Sequence, residues 1–248
     1  MIQINMSKID LSAMRCGECP IRHRAVCSRC DADELVLLEA MKSYQTYDAG
    51  DVILWRGEPL KFVASVVSGV ANLSKTLEDG RTQMVGLLLP SDFLGRPGRT
   101  TVEFDVTATT NVTLCRFERA PFEKLINETP NVAQRLMELT LDELDAARDW
   151  MILLGRKTAR EKIATFLDLL VQRSEVSLEK NHISLEMAMT RDQIANFLGL
   201  TLETVSRQLN AMKKDGIISF NGRKQLNIVD LIALRQATGD DSDGGMIV

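Results

Sequence analysis

The segment 190–228 leaves this chain the fewest folding options. Thr190-Arg191-Asp192-Gln193 has the form of a capping box, in which the first side chain bonds the third helical N–H and the last reaches back to the cap. The helix it opens, DQIANFL, ends at Gly199, and Thr201 caps a second helix, LETVSRQLNAMKKDG. Two short helices joined by a glycine-containing turn make a helix-turn-helix. Beyond Gly216 the runs IISF and QLNIV flank Asn221-Gly222, a two-residue hairpin signal, so a wing follows the helix pair. The second helix of such a unit lies in the major groove of double-stranded DNA, with its N-terminal residues at base edges. Glu203, Ser206 and Arg207 fall at i, i+3 and i+4 and share one face, while Val205 and Leu209 point inward. Arginine can bond guanine O6 and N7 together, a carboxylate accepts from cytosine N4, and serine bonds several bases. Thr201 and Thr204, at the same end of the helix, join them as DNA-contact candidates. Plainer alternatives stand beside these. An acid at Glu203 favours the helix dipole whether or not DNA is read. Arg207 would serve equally as a phosphate contact or a solvated charge.

Upstream, residues 31–43 read as a short amphipathic helix capped by Asp31 or Asp33. From 44 to 117 short apolar runs (VILW, FVASVV, QMVGLLL and others) alternate with glycines, and Glu78-Asp79-Gly80 marks a tight turn. Many short strands at close spacing predict a small β-barrel or sandwich. Thr129 then caps a helix whose first residue is Pro130, and its pattern runs unbroken to Leu154. Val132, Leu136, Leu139, Ala146 and Trp150 form one apolar stripe; Met137, Leu141, Leu144 and Met151 form another. One stripe packs on the barrel and the other seeks a partner helix, which predicts a homodimer. A single helix buried on two sides is the alternative. Asp142, Glu143, Asp145 and Asp149 either weaken that pairing through like charge or form an ordinary solvated face. Gly155 breaks the pattern, and Thr158 to Glu161 is a further capping box that opens a helix to about Arg173. The expected class is α+β: a cysteine-rich segment at 1–30, a β-barrel at 31–128, a dimerisation helix at 129–154, a winged helix-turn-helix at 155–236 and a disordered tail at 237–248.

Charge is uneven. Residues 156–236 hold 13 Lys/Arg against 9 Asp/Glu, in a chain of net charge −4, so a mildly basic C-terminal part follows an acidic body. No apolar run approaches the roughly 18–20 residues of a membrane span. The N-terminus lacks the basic and apolar regions of a secretory signal, so a cytoplasmic location is expected and no membrane partner. The only histidines are His23, in the cysteine segment, and His182, in a polar turn. Neither they nor any paired carboxylates suggest catalysis, so no enzyme is expected.

Four of the five cysteines lie at Cys16-x2-Cys19-x7-Cys27-x2-Cys30, with Cys115 far away in an expected strand. In a cytoplasmic chain of this size, clustered thiols point to metal or redox chemistry rather than a disulfide framework. Four thiolates can hold zinc or an iron–sulfur cluster. The zinc reading wants roughly 12–20 residues between the two pairs, more than this spacing provides. Cys115, taken alone, also fits a small buried apolar residue.

Barrel, long helix and winged helix in this order, over residues 16–236, resemble the CRP/FNR superfamily of bacterial transcription regulators. The stretch LTLETVSRQLNAMKKDGII resembles the recognition helix of its FNR branch. There the E-x-x-S-R pattern, matched by Glu203, Ser206 and Arg207, reads a TTGAT-type half-site. The spacing C-x2-C-x7-C and the block GLLLPSDFLGRPGR look most like the FnrL/FnrN group. The resemblance implies a cyclic-nucleotide-binding-like barrel and an oxygen-labile [4Fe–4S] cluster on Cys16, Cys19, Cys27 and Cys115, with Cys30 surplus. Cys27 against Cys30 is not decided by the sequence. It further implies contact with RNA polymerase, for which the 78–81 loop is a candidate. The cyclic-AMP branch holds its nucleotide with a glutamate after D-F-x-G and an Arg-Ser pair. Here those places read Gly95-Arg96-Pro97-Gly98 and Val102-Glu103-Phe104-Asp105, so no cyclic nucleotide is expected.

Overall fold

The computed structural model describes residues 15–173, 183–222 and 225–240. The chain divides into two compact units, Met1–Asp145 and Ala146–Val248, with the division inside the long helix rather than at Gly155.

In the first unit a 3-10 turn (Cys16–Glu18) precedes α1 (Ala32–Met41). Asp31 is the cap of α1: its carboxylate accepts from the Glu34 N–H at 2.9 Å, and Glu34 accepts from the Asp31 N–H at 3.0 Å. The strands are β1 (Lys42–Tyr47), β2 (Val52–Leu54), β3 (Phe62–Ser68), β4 (Ala71–Thr76), β5 (Thr82–Leu88), β6 (Phe93–Leu94), β7 (Asp105–Ala108) and β8 (Val112–Glu118). Then come α2 (Arg119–Glu128) and α3 (Pro130–Arg156), the latter shared with the second unit. The strands form two antiparallel sheets, ordered β1-β8-β3-β6 and β2-β7-β4-β5. The expected barrel is therefore an open sandwich. Strand spacing alone specifies many short strands but not whether the outer ones pair, and β1 and β6 remain edges of one sheet, β2 and β5 of the other.

The central strands of the first sheet, β3 and β8, are buried on both faces. Phe62, Ala64 and Val66 of β3, with Val112 and Leu114 of β8, pack toward the second sheet. Val63 and Val67, with Cys115 and Phe117, pack on the opposite side beneath α1, α2 and the start of α3. Burial on both faces explains why FVASVV, apolar except at Ser65, does not alternate between apolar and polar residues. The β4–β5 hairpin closes at Glu78-Asp79-Gly80 as expected. Leu77 N–H donates to Arg81 O at 2.8 Å, and Gly80 takes φ 85°, open to a residue without a Cβ.

Along α3, Val132 is fully buried, and Leu136 and Leu139 pack against the same cluster. The second stripe is exposed: Met137 by 59%, Leu141 by 53%, Leu144 by 46% and Met151 by 74%. Asp142, Glu143 and Asp145 are exposed and Asp149 is half-buried.

The second unit holds α4 (Ala159–Arg173), β9 (Ile183–Glu186), α5 (Arg191–Leu198), α6 (Leu202–Lys214), β10 (Ile218–Asn221), β11 (Gln225–Ile228) and α7 (Leu231–Gln236). Its core is mainly aliphatic, with Ile163, Leu167, Ile194, Leu198 and Met212 all buried, and it holds an aromatic group in which Phe197 stacks on Trp150 at 4.1 Å and meets the edge of Phe166 at 6.0 Å. The wing sheet has the order β10-β11-β9. Asn221 pairs with Gln225, so Asn221 is a strand residue and the connection falls at 222–224, of which Gly222 is described. Disorder expected from 237 does not begin there. Thr238 is buried and its hydroxyl donates to Arg235 O at 2.7 Å, and Lys157 pairs with Asp240 at 2.7 Å. Residues 241–248 and His182 lie outside the described residues.

Candidate functional site

Apolar packing and hydrogen bonds, most of them to backbone groups, shape the cysteine segment. Ile21, Ala25 and Val26 are buried on the outer face of the first sheet. The Arg22 guanidinium donates to the carbonyls of Cys27 at 2.8 Å, Ser28 at 2.8 Å and Cys30 at 3.0 Å. Cys16 N–H donates to Glu39 at 3.1 Å, and Lys42 Nζ lies 3.7 Å from the Cys16 sulfur. These ties turn the segment 16–30 over β8, where Cys115 faces it. His23 is exposed, its ring against Pro20 O at 3.1 Å.

All five cysteines are free; Cys16, Cys30 and Cys115 are buried, and Cys19 and Cys27 half-buried. Burial pushes every one of these thiols up, Cys27 to about 11 and Cys30 to about 12. The further causes identify which sulfurs share a neighbourhood. After burial, Cys115 is raised by Cys16, Cys19 and Cys27. Cys30 is raised by Cys27 and by the carboxylates of Glu34 and Asp31. The Tyr44 hydroxyl is raised by burial and then by Cys115, Cys19, Cys16 and Cys27. Packing agrees in part: Cys30 and Cys115 belong to one buried cluster on the outer face of the first sheet, with Cys19 and Cys27 packed against it, and Cys16 acts electrostatically on Cys115 and Cys27. Among the described residues no group of three or more His, Cys, Asp or Glu side chains is arranged to hold a metal ion. Protonated thiols pack as small apolar groups and have no reason to converge on a common centre.

Polar links join this segment to the first turns of α3. Asn131 donates to Glu34 at 3.0 Å, and Arg135 donates to Arg24 O at 2.7 Å. Arg29 meets both oxygens of Glu138, at 3.0 and 2.7 Å, and Arg135 meets Glu138 at 3.1 Å. Apart from the i,i+3 pair Arg135–Glu138 within α3, none of these contacts was visible in the sequence, because the partners are about 100 residues apart.

In the second unit the Thr190 capping box forms with Gln193, at 3.2 and 2.8 Å, and Gly199 ends α5 in the left-handed region at φ 61°. Buried Lys162 donates to Leu198 O at 3.3 Å and satisfies that helix end. Thr201 caps α6 by accepting from the Thr204 N–H at 3.2 Å, and the two threonine hydroxyls lie 3.1 Å apart. Val205, Leu209 and Met212 are buried; Glu203 and Arg207 are exposed and Ser206 half-buried, so all three candidates stand on the outer side. The Glu203 backbone N–H and the Thr201 hydroxyl hold the Glu203 carboxyl below the usual range, as the helix-end alternative for this acid requires. A residue that sequence reasoning missed is Arg191. It donates to the Ser206 hydroxyl at 3.2 Å and lies 5.9 Å over the Phe220 ring, linking α5, α6 and the wing.

A helix-covered double sheet followed by a winged helix-turn-helix defines a two-part transcription regulator, with a sensor-type sandwich and a DNA-binding head. Comparison with known proteins specifies it. Residues 44–129 match the cyclic nucleotide-binding domain and residues 161–237 the Crp-like helix-turn-helix domain. The chain is 56% identical over 237 residues to the transcriptional activator protein FnrL of Cereibacter sphaeroides, covering 94% of this chain and 96% of that one. It is 39% identical to the nitrogen fixation regulation protein FixK of Bradyrhizobium diazoefficiens, covering 82% and 86%. The solved structure of FixK2 from Bradyrhizobium japonicum superposes with a TM-score of 0.74 at 32% identity, over 81% of this chain and 99% of that one. The chain belongs to the CRP/FNR family of transcription regulators, DNA-binding proteins and not enzymes.

Proposed function

We propose that this chain is an oxygen-responsive transcriptional activator that binds DNA as a homodimer while Cys16, Cys19, Cys27 and Cys115 hold a [4Fe–4S] cluster. The observation that carries the reading is that the cysteine loop packs on the face of β8 that bears Cys115, with Cys19, Cys27 and Cys115 in one cluster, and Cys16 close enough to act electrostatically on Cys115. An all-sulfur donor set suits an iron–sulfur group or zinc and not a hard cation, so the residues fit the cluster. When bound, the cluster supplies an oxygen-labile cross-link between loop and strand.

The chain's own residues carry the rest. Arg22 holds the loop in shape, and Asn131, Arg135 and Glu138 relay its position to α3. Met137, Leu141, Leu144 and Met151 offer an apolar seam to a second copy. A dimer sets two recognition helices roughly 34 Å apart over an inverted repeat of TTGAT-type half-sites. Glu203, Ser206 and Arg207 read bases, and Thr201 and Thr204 sit at the helix N-terminus, where phosphates bind. Two half-sites read together give affinity that a monomer lacks. The exposed 78–81 hairpin, in which Arg81 pairs with Asp79 at 2.8 Å, is the surface offered to RNA polymerase. A cyclic nucleotide is not part of this reading. Glu103 is exposed and pairs with Arg99 at 3.6 Å, and its charge and that of Asp105 repel phosphate. A cytoplasmic location accords with the finding that no described helix is long and apolar enough to cross a membrane.

The test is anaerobic reconstitution with iron and sulfide, followed by the visible spectrum, metal and sulfide assays, and binding to a TTGAT inverted repeat before and after air. A brown protein that bleaches and releases DNA supports the proposal. A colourless protein with one zinc per chain, or one that takes up no iron, overturns it. Cys30→Ser should retain the cluster, and Cys27→Ser should lose it.

A further inference from the structure

Ser65 is a buried hydroxyl with no explanation in the apolar packing around it. It is 2% exposed, and its Oγ has no hydrogen-bond partner. Such groups are rare in folded proteins, because burial strips the hydroxyl of water without replacing its bonds. Its position is informative. In the register of β3 with β8, Ser65 lies directly opposite Cys115, and Tyr44 of β1 lies opposite Cys115 on the other side. Directly opposed residues of an antiparallel pair project from the same face, with Cβ atoms roughly 4.5–5.5 Å apart. Alternation along β3 agrees: Ala64 and Val66 pack into the sandwich, while Val63 and Val67 pack on the outer side with Cys115. The unpartnered hydroxyl therefore projects from the face of the sheet that bears Cys115 and that the cysteine loop covers.

A protonated thiol is a weak acceptor, and a thiolate is a strong one. We propose that Ser65 Oγ donates its hydrogen bond to the Cys115 sulfur when that sulfur is a thiolate holding the cluster, and so tunes the cluster's reduction potential and its lifetime in air. This inference rests on the proposed function. Hydrogen bonds to ligand sulfurs are among the determinants of cluster potential, since they favour the more negative, reduced state. Ser65 is a positioning and tuning residue; Cys115 remains the ligand.

The experiment uses full-length protein, reconstituted anaerobically, as wild type, Ser65→Ala and Ser65→Thr. Three quantities are read: the midpoint potential by redox titration, the decay of the band near 400 nm (a value expected for thiolate-bound clusters) in air-saturated buffer, and the melting temperature of cluster-free protein. Ser65→Ala should take up the same iron, show a lower midpoint and bleach severalfold faster. Ser65→Thr, which keeps the hydroxyl, should follow the wild type. Cluster-free Ser65→Ala should melt no lower than wild type, because it loses a group without a partner. Equal potentials and decay rates for wild type and Ser65→Ala would overturn the proposal. So would equal acceleration in both variants, or a lower melting temperature for cluster-free Ser65→Ala, which would reveal a structural partner. Failure of the wild type itself to take up iron counts against the proposed function and is thereby distinguished.

Discussion

At the scale of single residues, Arg22 shows how a loop without sheet or helix acquires a shape. One guanidinium satisfies three consecutive-region carbonyls, and hydrogen bonds to charged groups contribute about 1.5–3 kcal/mol when partly shielded. Arg22→Ala should lower stability by about 2 kcal/mol and slow iron uptake, as read by thermal melting and by the rise of the visible band. The thiols give a pH prediction with a definite sign. A thiol raised by burial binds its proton more tightly in the folded chain than in the unfolded one. The stabilisation is complete below the ordinary value near 9 and is lost as pH rises through the folded values, about 11 at Cys27 and about 12 at Cys30. Cluster-free protein should therefore melt at steadily lower temperature from pH 9 to 11, a trend that cluster-loaded protein should lack. The cysteines were legible as residues with chemistry because their spacing is a pattern. Arg22, Ile21 and Ser65 were not, because a contact to a carbonyl and a missing hydrogen bond leave no periodic trace.

At the scale of elements, most of the expected caps formed, the exception being Thr129, read as the cap of α3, whose hydroxyl instead donates to Leu125 O at the end of α2. Asp31, Thr190 and Thr201 all bond the third helical N–H, since that geometry depends on residues only three apart. Thr201→Ala should cost about 1 kcal/mol in the DNA-binding unit, measurable by chemical denaturation. The exposed stripe of α3 and the first half of its packing stripe, Val132, Leu136 and Leu139, were legible for the same local reason, whereas Ala146 is exposed and Trp150 stacks on Phe197 of the second unit instead of on the sandwich. The polar ties of α3 to the cysteine segment were not legible, and they make a separate prediction. Glu138 is the shared partner of Arg29 and Arg135. Glu138→Ala should leave iron uptake intact and weaken dimerisation of the loaded protein severalfold, as seen by sedimentation. Exposed ion pairs contribute little singly, so unchanged dimerisation would mean that the relay runs through Asn131 and the apolar contacts alone. Arg191, tied to Ser206 and Phe220, belongs here too. Its loss to alanine should relax base preference at the position Ser206 contacts, read by competition between single-base variants of the half-site.

At the scale of the whole molecule, the order of strands, long helix and winged helix was legible, and closure of the strands was not, since edges pair or stay open through long-range geometry. The exposed stripe of α3 carries the last prediction. Leu141→Glu, at a position 53% exposed, should leave the melting temperature of the chain near wild type and abolish both dimer and DNA binding. The first sheet has a consequence for descent. Neighbouring residues of β8 serve opposite sides of one wall: Val112 and Leu114 line the interior of the sandwich, and Cys115 and Phe117 line its outer face. Alternation along a strand keeps the two sets sterically independent. A lineage can therefore exchange the chemistry on the outer face, acquiring or discarding thiols, without repacking the interior. One scaffold can in this way inherit a common interior while its members diverge in the signal they receive.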